Sequence, residues 1–256
     1  MISENTPVRI NKYLSDAGLC SRREADRLIE AGKIMIDGKP AVTGQKVFPG
    51  QKVFCEGREV KDDTPLILLA FHKPVGIECT TSSDVKDNII DYIRYPSRIF
   101  PIGRLDKNSS GLILMTNKGE LSDRILRGSN YHEKEYEVTV DHPVTAEMIR
   151  QLKNGVEIEL DDGAKKITTR PCFAQATGKR SFRIILTQGL NRQIRRMCEK
   201  LGYHVVSLKR IRVMNILLGN LSEGHYRNVT EAERRRLMKE LQEEKPQEFH
   251  TGETGK

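Results

Sequence analysis

The sequence predicts an α+β protein with two units: a small N-terminal unit of two helices and a β-hairpin, and a larger unit with a mixed, mainly antiparallel sheet. Helical and alternating apolar patterns follow one another along the 256 residues without the regular strand–helix–strand succession of a parallel fold. A polar, proline-ended linker at residues 61–65 separates residues 8–60 from residues 66–240. We treat residues 1–7 as an N-terminal extension and residues 241–256 as a disordered tail.

Composition excludes several classes of protein. The longest uninterrupted apolar run, residues 66–71, is far shorter than the roughly 20 residues of a membrane span, and residues 1–7 show no secretory signal. The 5 cysteines are scattered without a C-x-x-C pair, which favours reduced thiols in the cytoplasm over a disulfide framework or a zinc site. Phosphate-binding, dinucleotide-binding and H-E-x-x-H motifs are missing from the sequence, so we expect no metal, no nucleotide cofactor and no redox cofactor.

The first unit begins with two short helices. Ile10 and Leu14 lie at helical spacing, and Ser21 with Glu24 forms a capping box for the second helix. Alternating apolar residues then flank Asp37-Gly38, a strong hairpin-turn signal. The sequence therefore predicts a helical hairpin followed by a small β-structure.

This first unit is rich in cations. Those that we predict to bind an anion are Arg9, Lys12, Arg22, Arg23 and Lys33. Arg22 and Arg23 stand at a helix N-terminus, where they oppose the helix dipole, and an anionic ligand explains such an arrangement. The stretches R-I-N-K-Y-L, C-S-R-R-E-A-D-R-L-I-E-A-G-K-I and I-D-G-K resemble an S4 RNA-binding domain. The resemblance implies that this unit binds RNA.

The second unit alternates short strands and helices. We predict buried strands at 66–71 and 112–115, a turn at 72–76, further strands at 135–140 and 181–186, and helices at 144–153 and 192–201. Asn117 with Glu120 predicts a capping box for another helix, which runs to about Arg127 and is closed by Gly128.

Charge is concentrated near the second half of this unit. Between residues 187 and 212 seven arginines and lysines face a single acidic residue, Glu199. Arginine suits phosphate better than lysine does, so this run, within a chain of net charge +8, favours a polyanionic partner.

The segment 101–119 carries the most informative motif. Two glycines bracket a loop that holds Arg104 and Asp106 and leads into a buried strand. Taken alone, an Asp in such a loop is more often a turn residue than a functional carboxylate. However, G-R-L-D-x-x-S-x-G-L-[IL]-L-x-T-N-x-G resembles the signature of the RsuA-like family of pseudouridine synthases. Three further stretches match in order: Lys73-Pro-x-Gly, Lys134-Glu-Tyr-Glu-Val, and the segment 186–197.

The resemblance implies an enzyme that isomerises uridine to pseudouridine in ribosomal RNA without a cofactor. It implies that Asp106 is the catalytic carboxylate, that Arg195 is its cationic partner, that Tyr136 packs on the uracil, and that Arg104 enters the space of an everted base. It also implies RNA contacts from Lys73, Arg192 and Arg196. Whether Asp106 attacks C1′ or removes a C2′ proton stays open.

Within the family the sequence resembles the RluF type most, which implies a stem-loop of 23S ribosomal RNA as partner. Arg192, at a position where many members of the family have histidine, supports this placement. We expect the protein to act as a monomer. Two alternatives are a non-catalytic RNA-binding factor of ribosome assembly and a base-removing glycosidase, whose carboxylate chemistry begins in the same way.

Overall fold

The computed structural model describes residues 6–61, 63–127, 131–160 and 166–243. Gly128 and residues 1–5 and 244–256 lie outside these ranges, so the predicted helix stop and almost all of the predicted tail are not tested.

The N-terminal unit has the predicted helical hairpin and β-structure. Its elements are β1 (Val8–Arg9), α1 (Ile10–Asp16), α2 (Arg22–Glu30), β2 (Ile34–Ile36), β3 (Lys39–Pro40), β4 (Lys46–Val47), β5 (Val53–Cys55) and β6 (Arg58–Val60). Ser21 caps α2 by accepting a hydrogen bond from the backbone N–H of Glu24 at 3.1 Å. Asp37 and Gly38 adopt φ values of 48° and 78°, as the tight β2–β3 hairpin requires. The four strands in the order β3-β2-β5-β6 share a core with Ile10 and Leu14 of α1.

The second unit contains a nine-stranded sheet. Its elements are β7 (Leu68–Lys73), α3 (Ile89–Ile93), β8 (Phe100–Ile102), β9 (Ser110–Thr116), α4 (Gly119–Leu126), β10 (Lys134–Val140), α5 (Ala146–Asn154), β11 (Glu157–Glu159), β12 (Lys166–Thr168), β13 (Phe173–Gly178), β14 (Ser181–Leu186), α6 (Gln193–Lys200), β15 (Val205–Val213), β16 (Ile216–Leu217), β17 (Tyr226–Asn228) and α7 (Glu231–Gln242).

Strand order in the large sheet is β13-β14-β10-β15-β9-β7-β17, with β16 paired to β15 and β8 to β9. Among the strands in the described ranges, β9 and β15 pair in parallel and the other pairs are antiparallel. The predicted mixed, mainly antiparallel sheet is therefore confirmed.

Strands β7 and β9 are buried on both faces, which explains their nearly continuous apolar sequence. One face, with Leu68 and Leu112, packs against α4 and α7. The other, with Phe71 and Ile113, packs against α3. Helices α5 and α6 cover β10 and β14 in a separate cluster. The centre of the sheet, where β9, β15 and β10 are neighbours, is thus covered by helices on its faces.

Several local predictions were wrong in their bounds. Strand β7 continues through His72 to Lys73, where we predict a turn, because both residues pair with β9. Asn117 does not cap α4: its side chain accepts a hydrogen bond from the Ile67 N–H at 2.9 Å and donates to the Pro65 carbonyl at 2.8 Å. The capping residue is Lys118, without a side-chain cap. Helix α7 extends past residue 240 to Gln242.

The two units touch beside α4. Arg22 Nη2 lies 3.7 Å from Asp123 Oδ2, and Lys118 Nζ donates to the Asp16 carbonyl at 3.0 Å. Arg98 donates from Nη1 to the Ser15 carbonyl at 3.2 Å. Because Leu126 at the end of α4 also lines a cavity of about 920 Å³ in the second unit, this helix links the basic N-terminal unit to that cavity.

Candidate active site

The loop between β8 and β9 carries Asp106 into a cavity. Leu105 is buried and donates its N–H to Cys79 Sγ at 3.3 Å, which anchors the middle of the loop. Its neighbours Arg104 and Asp106 both line the cavities on the two sides of the loop, of about 1070 and 920 Å³. The Ser109 N–H donates to the Asp106 carbonyl at 3.0 Å, so a tight turn precedes β9. Because Leu105 is anchored in the core, the side chains of Arg104 and Asp106 on either side of it are directed to the cavities.

Gly111 fixes this loop against the neighbouring strand. Its φ is +106°, and a Cβ built there would lie 2.2 Å from the Arg210 carbonyl oxygen. The parallel pairing of β9 with β15 brings these two backbones together. The glycine of the S-x-G-L motif is therefore required for the close approach of two backbones.

Arg195 is the cationic neighbour of Asp106. Its Nε lies 3.6 Å from Asp106 Oδ2 and is buried without a hydrogen-bond partner among the described residues. Three groups hold the rest of the guanidinium: the Val205 carbonyl at 3.1 Å, the Asn108 carbonyl at 2.9 Å and Ser109 Oγ at 3.2 Å. The structure thus brings together two residues that are 89 positions apart in the sequence.

The electrostatics of this pair follow from burial. Arg195 is only 6% exposed, and burial lowers its pKa from the ordinary value, while the charge of Asp106 raises it. Arginine remains protonated in either case. Its side chain is fixed by three acceptors, so the positive charge stays beside Asp106 and stabilises a carboxylate anion there.

Tyr136 shares a cavity with Asp106. It is half-buried on β10, packs against two apolar clusters and lines the cavity of about 920 Å³ that Asp106 also lines. Arg104 and Arg192 are exposed at the rim. Arg192 precedes α6 in the left-handed conformation at φ +50°. The sequence-predicted set Arg104, Asp106, Tyr136, Arg192 and Arg195 is therefore assembled at one place.

Other predicted RNA-binding residues lie apart from the cavity. Arg9 and Arg23 are exposed and form no ion pair within the described ranges. Lys12 pairs at 2.5 Å with Asp16, which is buried, and Lys33 pairs at 2.7 Å with Glu56 on the surface. Arg22 faces Asp123, as described above.

Arg196 lies on α6 beside β11, where its Nη1 donates to the Glu159 carbonyl.

Lys73 requires a correction. Because β7 continues to this residue, its side chain points into the core and is 0% exposed. Nζ donates to the carbonyls of Pro74 and Ile77, each at 2.8 Å, and burial lowers the pKa of the amine. Lys73 therefore holds the loop that follows β7, and its buried amine is not displayed on the surface where the sequence analysis expects an RNA contact.

Two residues of the cavity were not among the site residues that the sequence predicted. Lys134 and Arg210 line the cavity of about 920 Å³ with Asp106 and Tyr136. Strand periodicity could have found Lys134, because it stands two residues before Tyr136 and so shares its face. Nothing in the sequence distinguishes Arg210 from the other cations around it.

Neither metal ligation nor membrane spanning is supported in the described ranges. No group of three or more His, Cys, Asp or Glu side chains is placed to hold a metal ion. No helix there has the length and apolar character to cross a bilayer.

Comparisons with known proteins show the family to which the protein belongs. A family model described as S4 domain matches residues 8–53, and one described as RNA pseudouridylate synthase matches residues 67–200. A solved structure, titled as the crystal structure of a pseudouridylate synthase, superposes with a TM-score of 0.66 at 25% identity, covering 90% of this chain and 99% of that one. The chain belongs to the RNA pseudouridylate synthase family, and its enzyme class is that of an isomerase.

Curated relatives narrow the comparison within this family. The dual-specificity RNA pseudouridine synthase RluF of Salmonella typhi is 47% identical over 231 residues, or 90% of this chain and 78% of that protein. An uncharacterized RNA pseudouridine synthase of Aquifex aeolicus is 34% identical, with 91% of this chain and 94% of the other covered. The resemblance inferred from the motifs, including the RluF type, is confirmed.

Proposed function

We propose that this enzyme isomerises a specific uridine to pseudouridine in a stem-loop of 23S ribosomal RNA, with Asp106 as the catalytic residue. The observation that carries the proposal is the Asp106–Arg195 pair, set beside Tyr136 in a cavity whose rim and walls are cationic. The dual specificity in the names of the RluF relatives extends the proposal to a second RNA substrate. We place the reaction in the cytoplasm and assign it to a monomer.

The reaction itself conserves all atoms. The C1′–N1 bond breaks, the uracil turns, a C1′–C5 bond forms, the C5 proton leaves and N1 gains a proton. Breaking the first bond builds positive charge on the ribose, which a carboxylate stabilises either by attack on C1′ or by taking a proton from C2′. Asp106 is fitted to both steps because it is partly exposed to the cavity and accompanied by a fixed guanidinium.

Access to C1′ requires that the nucleotide leave its stack, at a cost of a few kcal/mol. Arg104 is two residues from Asp106, is exposed, and has no ion-pair partner in the described ranges, so we assign it the space that the base vacates. A loop nucleotide costs least to extrude, which favours a stem-loop target.

Tyr136 supplies the surface for the base during its turn. The ring is half-buried, and its backbone is fixed between β14 and β15. Stacking on an aromatic ring holds a uracil while leaving rotation in the ring plane free. We also assign the phenol a part in removal of the C5 proton.

The exposed cations of the N-terminal unit and of α6 supply phosphate contacts. Arg9, Arg23 and Arg192 are exposed, and electrostatic contacts of this kind dominate RNA affinity. We assign them to backbone binding rather than to recognition of the uridine.

Release of tritium from RNA containing [5-³H]uridine tests the function. We expect the wild-type enzyme to release one equivalent of tritium without free uracil. RNA binding without tritium release would support the assembly-factor alternative, whereas free uracil would support a glycosidase. Mapping pseudouridine in 23S RNA from cells that lack the gene would identify the target; an unchanged 23S map would refute that substrate.

A further inference from the structure

Lys134 and Arg210 lie side by side on the cavity wall. Lys134 is the first residue of β10 and shares a face with Tyr136 two residues later. Arg210 on β15 is the direct cross-strand partner of Tyr136. Both cations line the cavity that contains Asp106. The strand register therefore places two positive charges next to the proposed uracil platform.

These two cations have no carboxylate partner among the described residues. Arg210 is 3% exposed, and only its Nε is engaged, with the Leu112 carbonyl at 2.7 Å. Lys134 Nζ makes one long hydrogen bond, 3.4 Å, to the His132 carbonyl. The neighbouring acid Glu135 pairs instead with Arg212, at 2.6 Å. Buried charges in proteins are normally paired, so these two cations are suited to binding an anionic group of a ligand.

The surroundings reinforce this conclusion. Burial, and to a lesser extent repulsion by the charge of Arg210, lowers the pKa of Lys134 to about 8 in the free protein. The cavity contains a single carboxylate among its described residues, Asp106, and that group faces Arg195. The remaining charged residues around the cavity are all cations: Arg104, Arg127, Arg170 and Arg192.

We propose that Lys134 and Arg210 together bind one phosphate group of the RNA strand next to the target uridine, and so fix the depth at which the nucleotide meets Asp106. This subsite rests on the proposed function. A phosphate is favoured over a uracil oxygen because it carries a full negative charge, which two adjacent cations require, and because it accepts hydrogen bonds from both side chains at once.

A protein–RNA double-mutant cycle tests this proposal. The RNA is a 23S stem-loop that the full-length chain binds, made with a neutral methylphosphonate at one phosphate at a time. For the wild type, we expect one position near the target uridine to weaken binding by about tenfold. For Lys134→Gln, the unmodified RNA should bind about tenfold more weakly. Placing the methylphosphonate at the same position should then hardly reduce the affinity of this variant any further.

Lys179→Gln is the matched control for the loss of one positive charge. Lys179 is exposed in the turn between β13 and β14, next to the end of β14 that pairs with Thr139. Lys134 pairs with Leu186 at the opposite end of β14, so the two lysines lie far apart along the sheet. This control should keep the full methylphosphonate penalty. Lys134→Arg should restore both the affinity and the penalty.

Proton uptake gives a second readout. Bound phosphate favours the charged amine, so at pH 8.5 the wild type should take up protons on binding RNA, and Lys134→Gln should take up fewer. Calorimetry in buffers of different ionisation enthalpy measures this number.

The outcomes separate the two proposals. If no phosphate position couples to Lys134 while the wild type still releases tritium, the subsite is wrong and the function stands. A variant that lowers only the rate of isomerisation, at unchanged affinity, would assign the pair to the base and overturn the phosphate assignment. Absence of tritium release from any RNA would overturn the function, and the binding cycle would still decide the phosphate contact.

Discussion

Arg195→Ala should reduce the rate of isomerisation because it removes the fixed positive charge beside Asp106. At 3.6 Å and an effective dielectric constant of about 20, the attraction between the two groups is roughly 5 kcal/mol. Asp106 is 31% exposed, so water partly replaces the lost guanidinium. We therefore expect about half of that energy to be lost, which corresponds to a rate roughly 30- to 150-fold lower.

The substitution also affects folding. The carbonyls of Val205 and Asn108 lose their donor; both hydrogen bonds are only partly buried, so water can replace the donor and each loss costs about 0.5–1.5 kcal/mol. Rates should accordingly be measured under single-turnover conditions, well below the melting temperature of the variant determined by circular dichroism. Arg195→Lys should recover part of the rate, because it restores charge without the planar fork.

Lys200→Ala is the matched control, since Lys200 is the exposed last residue of the same helix. Tritium release from [5-³H]uridine RNA reports the chemical step. If Arg195→Ala stays within threefold of Lys200→Ala, then Arg195 is not the electrostatic partner that we infer.

Three further predictions follow from the site and the fold. Asp106→Asn should abolish tritium release while leaving the melting temperature and the RNA dissociation constant nearly unchanged; substantial release would remove Asp106 from catalysis. Gly111→Ala should destabilise the fold by roughly 2–4 kcal/mol in urea unfolding, because its Cβ would meet the Arg210 carbonyl at 2.2 Å; a variant as stable as the wild type would show that the two strands separate easily. Substituting both Arg9 and Arg23 by glutamine should weaken RNA binding and leave the rate at saturating RNA unaltered. The slope of log binding constant against log salt concentration should become shallower by about 1–2. An unchanged slope would exclude these residues from phosphate contacts.

Local sequence patterns predicted most of the elements around the site. The capping residue Ser21 and the Asp37-Gly38 turn act through neighbours within three residues, so the chain specifies them locally.

Long strands with mixed exposure were harder to recognise. Strand β15 (Val205–Val213) was missed because it carries Lys209, Arg210 and Arg212 within a strand of the central sheet, and a cationic run favours an exposed segment on pattern alone.

The roles of individual polar residues depended on their distant neighbours. Asn117 resembles a helix cap in sequence, yet its amide bridges the backbone of the segment before β7, 50 residues away. Lys73 resembles an RNA contact, yet pairing with β9 turns it into the core. In both cases the polar side chain forms buried hydrogen bonds with backbone groups, and the sequence pattern does not indicate these bonds.

The sequence by itself determined the two-unit α+β organisation, the loop that presents Asp106 and the family to which the chain belongs, because these follow from local periodicity and from a long contiguous motif. Only the tertiary structure decided that Arg195 faces Asp106, that Lys73 is buried, and that Lys134 and Arg210 meet without a counter-charge. Those facts arise from strand order and from the parallel pairing of β9 with β15, which bring together groups as many as about 100 residues apart in the chain. Such pairings depend on how whole elements pack, and no short stretch of sequence encodes them.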